Sequence, residues 1–361
     1  MRSVFLLLTI AIFATGANAR EAELELKGGK VIGLNIYGLA YDFEGNPLVV
    51  DGDPLIYSAP VRNMNVAHDR QRFIVSLFNG PVSALYLTRL GKENALVNTE
   101  VVDTSSVQGL SHVNIAVKST WDSLLLPESV QVNARDPAEF AEDFSSYFSG
   151  KSAQVNPYDY GWLSELVLLD EKGANKVLKH YAAGRLGASD VVVLPDQRTI
   201  YFYDSLYTGN LYLFVADEPG SLAKGKLFGV SVKDGNSRLI ALGAASSMQV
   251  RLRLQRATFA DVYEYSETVD GQCAAGFSHV DSYFGVECVR VKPRMKSVAG
   301  LLEPVREFAR QNGIGPGIGF EQMVVNDAGS ALILQGAAGK REWLFRRDDS
   351  LNTDYALEER P

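Results

Sequence analysis

The chain of 361 residues carries 35 Lys plus Arg against 43 Asp plus Glu, a net charge of -8, and is 46% hydrophobic, which is enough apolar content for a sizeable core. An acidic chain with no basic run is a poor electrostatic partner for a phosphate backbone, so nucleic-acid binding is excluded. The same excess of carboxylates makes it a better host for cations.

Residues 1–19 read as a secretory signal peptide. Arg2 precedes the apolar run from Val4 to Phe13, and Ala17, Asn18 and Ala19 form a small-residue cleavage site. The apolar run is shorter than the ~20 residues that span a bilayer, so no membrane span is expected in the mature chain. That chain should begin near Arg20 and reside in the periplasm or outside the cell. No low-complexity linker divides residues 20–361, which predicts one domain.

From Glu23 to Leu48 short strand-like runs alternate with Gly-containing turns. A strand triplet follows: Val66, a turn at His68 and Asp69, Phe73 to Val75, Gly80, then Leu85 to Leu87. The next triplet has Ile115 to Val117, a turn at Trp121 and Asp122, Leu124 to Leu126 and, after an insertion, Leu166 to Leu168. Within that insertion Asp136 at an N-cap and Pro137 at N1 predict a short amphipathic helix over 136–149. The third triplet is the clearest, with Asp190 to Val193, an Asp/Pro turn, an aromatic run to Asp204, and Asn210 to Phe214. Strands are then expected at 225–232, 239–242 and 248–254, followed by a second helix over 298–312. A fourth triplet runs Gln322 to Val325, Leu332 to Leu334 and Trp343 to Phe345.

The step from the end of the middle strand to the end of the third is 12 residues for Val75 to Leu87 and for Phe202 to Phe214, and 11 for Leu334 to Phe345. A single small antiparallel sheet cannot bury its apolar face alone, so its recurrence predicts radial repetition. The expected fold is all-β, a single β-propeller of five or six blades at roughly 40–50 residues each, with two short inserted helices.

The two cysteines, Cys273 and Cys288, read as one disulfide in an oxidising compartment; a metal-ligating or nucleophilic thiol is the rival, with His279 inside the loop. Superposing the triplets places Glu128 two residues past Leu126 and Asp204 two past Phe202, so both acids leave the same end of equivalent strands. Propeller symmetry would gather them at one mouth of the central channel, where converging carboxylates need a cation or a shared proton. Glu321 falls at the start of the last triplet, opposite Ser189 in the third, ahead of a run expected to be buried. His112 stands before the run from Val113 to Val117, either as a general acid or metal ligand at that mouth or as a surface histidine. The glycine-rich segment 313–319 follows a helix instead of opening one, so it is a connector and not a phosphate loop.

Four of these segments resemble PhoX-type alkaline phosphatases. Ser119 to Ser129 (STWDSLLLPES) is similar to their T-P-W-G-T-W-L-T-C-E-E signature, and Tyr160 to Asp170 (YGWLSELVLLD) to H-G-W-V-F-E-V-D. Gly184 and Arg185 through Asp204 resemble the stretch from G-R to T-E-D, and Gly209 to Phe214 sits where the family has G-L-L-Y-R-F. The likeness covers about residues 110–232 in order and spacing, and the final strand unit loosely.

What the resemblance implies is a secreted propeller whose carboxylates hold calcium together with iron and whose substrates are phosphate esters. Glu128 matches the first Glu of C-E-E, Asp204 the Glu of T-E-D, and Arg185 the arginine of G-R, where a guanidinium can grip a phosphate bidentately. Glu321 matches a late acidic position. Pro127, however, stands at the Cys position, Ser129 at the second Glu, and Ala188 with Ser189 at His-Glu. Iron loses its thiolate ligand at Pro127, which leaves calcium as the expected cofactor. On this reading a cation at Glu128, Asp204 and Glu321 polarises a phosphoryl oxygen and activates water, with Arg185 and His112 assisting. The alternative is a non-catalytic, calcium-stabilised propeller that binds a small ligand or a protein partner. Oligomeric state is not legible in the sequence.

Overall fold

The structure is a computed structural model. It describes residues 25–312 apart from 28–29, 33–37, 51–52, 58–59, 205–208, 234–235 and 255–256, and beyond them 320–325, 331–336, 342–346 and 354–360. The signal-peptide stretch and the connector 313–319 lie outside the described residues.

Four antiparallel four-stranded meanders appear among the described residues. The first is β1 (Arg62–His68), β2 (Gln71–Phe78), β3 (Ala84–Leu90) and β4 (Leu96–Val101). The second is β5 (Val117–Lys118), β6 (Leu124–Pro127), β7 (Leu163–Leu168) and β8 (Asn175–Lys179). The third is β9 (Asp190–Val193), β10 (Thr199–Asp204), β11 (Asn210–Glu218) and β12 (Ser221–Lys233). From its outer edge β13 (Asn236–Ser246) forms a long hairpin with β12. The fourth, later in the chain, is β17 (Phe320–Val325), β18 (Ala331–Gly336), β19 (Glu342–Arg346) and β20 (Asp354–Arg360).

Alternation along the strands explains why these sheets stack. Side chains of successive strand residues point to opposite faces, so a strand apolar on both faces must be covered on both. In β6, Leu124 and Leu126 join Phe73, Val75, Leu85 and Leu87 of the first meander in one core. Leu125, between them, joins Ile200, Phe202, Tyr212 and Phe214 of the third in another. In β10 and β11 the other face, with Tyr201, Tyr203, Leu211 and Leu213, packs with Met323, Leu332 and Leu334 of the fourth. Each middle meander is thus sandwiched between its neighbours, which is propeller-type packing. Pairing of β13 with β20 joins the third and fourth meanders at their outer edges into a nine-stranded sheet. Its first and last strands meet again where the Met323 backbone N–H donates to Asp190 Oδ2 at 3.2 Å.

The long excursion between β13 and β17 holds α2 (Ser247–Leu254), α3 (Phe259–Val262), a three-stranded sheet of β14 (Tyr263–Ser266), β15 (Ser278–Ser282) and β16 (Gly285–Val291), then α4 (Ala299–Leu302) and α5 (Pro304–Asn312). Residues 248–254, expected as a strand, are helical. The two-residue alternation of Val250, Leu252 and Leu254 misleads, because Val250 and Leu254 are also four apart and share one buried helix face while Leu252 is 61% exposed. The helix expected over 298–312 breaks at Glu303, which precedes Pro304 and is driven out of the helical region by the proline ring. The helix expected over 136–149 is α1 (Ala138–Phe144), continued by a 3-10 turn from Ser145 to Phe148. Cys273 and Cys288 form the expected disulfide, which closes off the free-thiol alternative.

Candidate functional site

The candidate positions lie on or beside the second and third meanders, with Glu321 in the fourth, and their surroundings define what each can do. Glu128 directly follows the fully buried β6 and is itself completely buried. Its Oε1 accepts from the Ser111 backbone N–H at 3.0 Å and lies 3.1 Å from Lys179 Nζ. Its Oε2 accepts from the backbone N–H groups of Gly161 at 2.7 Å and Trp162 at 2.9 Å. The Gly161 turn needs glycine, since its φ is +91° and a Cβ would come 3.1 Å from Arg185 Cγ and 3.2 Å from the Val130 carbonyl. Lys179, at the end of β8, also donates to the Asp159 carbonyl at 2.7 Å and sits 4.8 Å from the centre of the Tyr160 ring.

A calcium ligand must offer free oxygen lone pairs. Four donors surround the Glu128 carboxylate, one of them an ammonium, so this residue does not fit the ligand role. Among the described residues no group of three or more His, Cys, Asp and Glu is arranged to hold a metal ion. Asp204 is completely buried at the end of β10, where its carbonyl accepts from the Gly209 N–H at 2.9 Å. The backbone of Glu321 lies in β17 where the register shifts between Phe320 and Gln322; its side chain lies outside the described residues.

Arg185 has no exposed surface. Nε donates to the Leu302 carbonyl at 2.8 Å, Nη1 to the carbonyls of Val132 at 2.9 Å and Pro157 at 3.4 Å, and Nη2 to Glu303 Oε1 at 2.9 Å. The guanidinium therefore ties the loop after β6 to the break between α4 and α5. The network continues, because Arg306 Nη1 donates to Glu303 Oε2 at 2.7 Å and its Nε to Glu287 Oε2 at 2.6 Å. Arg135 reaches the same Glu287 at 3.1 Å. Charges this deep are tolerated only when paired and hydrogen-bonded, and each guanidinium nitrogen of Arg185 and Arg306 has an acceptor.

His112 is partly buried with φ +48°, and its Nδ1 lies 2.7 Å from Ser111 Oγ. Burial pushes its pKa down, against the opposing pull of Glu128 and Asp143. A carboxylate–imidazole pair elsewhere, Glu165 with His180, carries no signal in the strand pattern. Glu165 of β7 accepts from Trp121 Nε1 at 2.7 Å and from Ser123 Oγ, and lies 2.7 Å from His180 Nε2. Ser123 bonds the carboxylate and not the imidazole, so this is not the order of an activated serine.

No protein-family model matches the chain, and no curated protein matches it. Among solved structures, the chain is similar to Pseudomonas fluorescens PhoX in complex with vanadate, a transition state analogue: TM-score 0.46, 12% identity, covering 89% of this chain and 72% of that one. It is also similar to the periplasmic gluconolactonase PpgL of Pseudomonas aeruginosa, with TM-score 0.31, 11% identity and coverage of 92% and 82%. A putative 6-phosphogluconolactonase from Bacteroides uniformis gives TM-score 0.24, 14% identity and coverage of 90% of each chain. At these identities the likenesses concern the fold alone.

Proposed function

We propose that this chain is an exported β-propeller that serves as a binding module and does not hydrolyse phosphate esters at the Glu128 and Arg185 positions. The observation that carries this is the state of Glu128. Three backbone N–H groups and the Lys179 ammonium occupy the carboxylate on which a metal-assisted phosphoester hydrolysis would be built. Arg185 supports the same reading, since a guanidinium with no exposed surface, bonded to Glu303 and three carbonyls, has no face to offer a phosphate. Export rests on the leader pattern in residues 1–19 and suits the Cys273–Cys288 disulfide, a bond favoured in oxidising compartments.

The test is turnover of p-nitrophenyl phosphate by the purified mature protein, with calcium and iron supplied, beside analysis of its metal content. The expected result is no turnover above a protein-free blank. Turnover by the wild-type protein that rises with added calcium or iron would overturn the proposal and restore the phosphoesterase reading.

A further inference from the structure

A cavity of about 240 Å³ opens where the loop after Leu39, the segment following β4 and the 3-10 turn after α1 meet. Tyr41, Phe43 and Tyr147 are among the residues that line it, and its polar lining includes Asp42, Asp103 and Thr104. None of the described residues that line it is Lys, Arg or His. The loop is fastened to the turn by the Phe43 N–H, which donates to the Tyr147 carbonyl at 3.1 Å, and the two rings stand 6.4 Å apart.

We propose that this cavity binds a small organic cation, a primary amine or a quaternary ammonium group. Aromatic faces attract a cation through the ring quadrupole, and carboxylates at the same cavity add Coulombic attraction. Both acids are oriented by their own backbone. Asp42 Oδ1 accepts from the N–H groups of Glu44 at 2.9 Å and Asn46 at 2.8 Å and its Oδ2 from Asn46 Nδ2 at 3.3 Å and Ser149 Oγ at 3.5 Å, so it contributes charge and not a ligating oxygen, while Asp103 Oδ1 accepts from the Ser105 N–H at 2.8 Å. Tyr147 belongs to the same lining. Its phenol is pushed up to about 12, first by burial and then, against a hydrogen bond with Thr104, by Asp103 and Asp42. The phenol therefore stays neutral and adds no third negative charge.

An anionic ester would meet two carboxylates and no basic side chain in this lining, so the cavity selects against it. Drug-sized pockets occupy roughly 300–1,000 Å³, and this smaller space restricts the guest to one compact cationic group. The inference rests on the binding-module reading and adds the class of ligand to it.

Isothermal titration of the mature protein with choline, with its uncharged isostere 3,3-dimethylbutan-1-ol and with inorganic phosphate tests the proposal. Choline should bind saturably and at least about fivefold more tightly than the isostere, as expected for a cation on an aromatic face, and phosphate should give no saturable heat. Asp103→Asn, which keeps an acceptor for Ser105, should weaken choline by about threefold or more, while Tyr41→Ala should weaken it through loss of a ring. Thermal melts of both variants show whether they remain folded. Equal binding of choline and the isostere, or no saturable choline binding, would overturn the assignment. Such a failure leaves the p-nitrophenyl phosphate result untouched, and turnover in that assay would overturn the proposed function whatever choline does.

Discussion

Lys179 and Glu128 form an ion pair of 3.1 Å in which neither side chain retains any solvent exposure. The lysine closes the outer strand of the second meander and the glutamate follows its second strand, so the pair fixes two points of one blade. Removing the cation strands a buried carboxylate. Lys179→Met should therefore destabilise the protein by about 3 kcal/mol, the low end for a broken buried pair, because three N–H donors still hold Glu128. Urea unfolding measures it, and Glu128→Gln combined with Lys179→Met should recover part of the loss. A single variant as stable as the wild type would show that the pair contributes nothing.

Arg185 distinguishes structure from chemistry. Arg185→Lys keeps the charge but loses the planar fork that serves Glu303 and the Leu302, Val132 and Pro157 carbonyls. The expected cost is about 2–3 kcal/mol, from buried acceptors left unsatisfied. Wild-type stability in the variant would contradict this placement of the side chain.

Acidification should act through His112. Burial holds its folded pKa below the unfolded 6.5, so the fold favours the neutral ring. The stability this contributes is full above the unfolded value and is lost as pH falls from there through the depressed folded value. Wild-type unfolding free energy should decrease as pH falls below about 6.5, and His112→Asn should flatten that slope. Asparagine is chosen because it tolerates the left-handed φ of +48° at this position. An unchanged slope in the variant would assign the acid limb to other groups.

The helical reading of residues 247–254 has its own test. Leu254 is 4% exposed and Leu252 61%. Leu254→Ala should cost about 2–5 kcal/mol and Leu252→Ala less than about 0.5 kcal/mol. Similar costs at both sites, as a strand buried on that face would give, would reject the helix.

The strand triplets were legible because alternation and turn chemistry are local. Phe202 and Tyr203 announce two buried faces by themselves, and a sheet with two buried faces must be stacked. Cys273 and Cys288 were equally readable from compartment and spacing. Residues 248–254 were not, because a two-residue period and a four-residue period coincide at Val250 and Leu254, and only the neighbours decide which one is used.

The site followed the same division. The sequence placed Glu128 at the end of a buried strand and Arg185 in a G-R turn, which fixed their chemical types and their likeness to a phosphatase. What they bond to depends on chain segments distant in sequence: Lys179 is 51 positions from Glu128 by numbering, and Glu303 lies 118 from Arg185. A carboxylate is a metal ligand or half of a buried ion pair according to which donors reach it, and tertiary packing alone brought the ammonium and the backbone N–H groups into place.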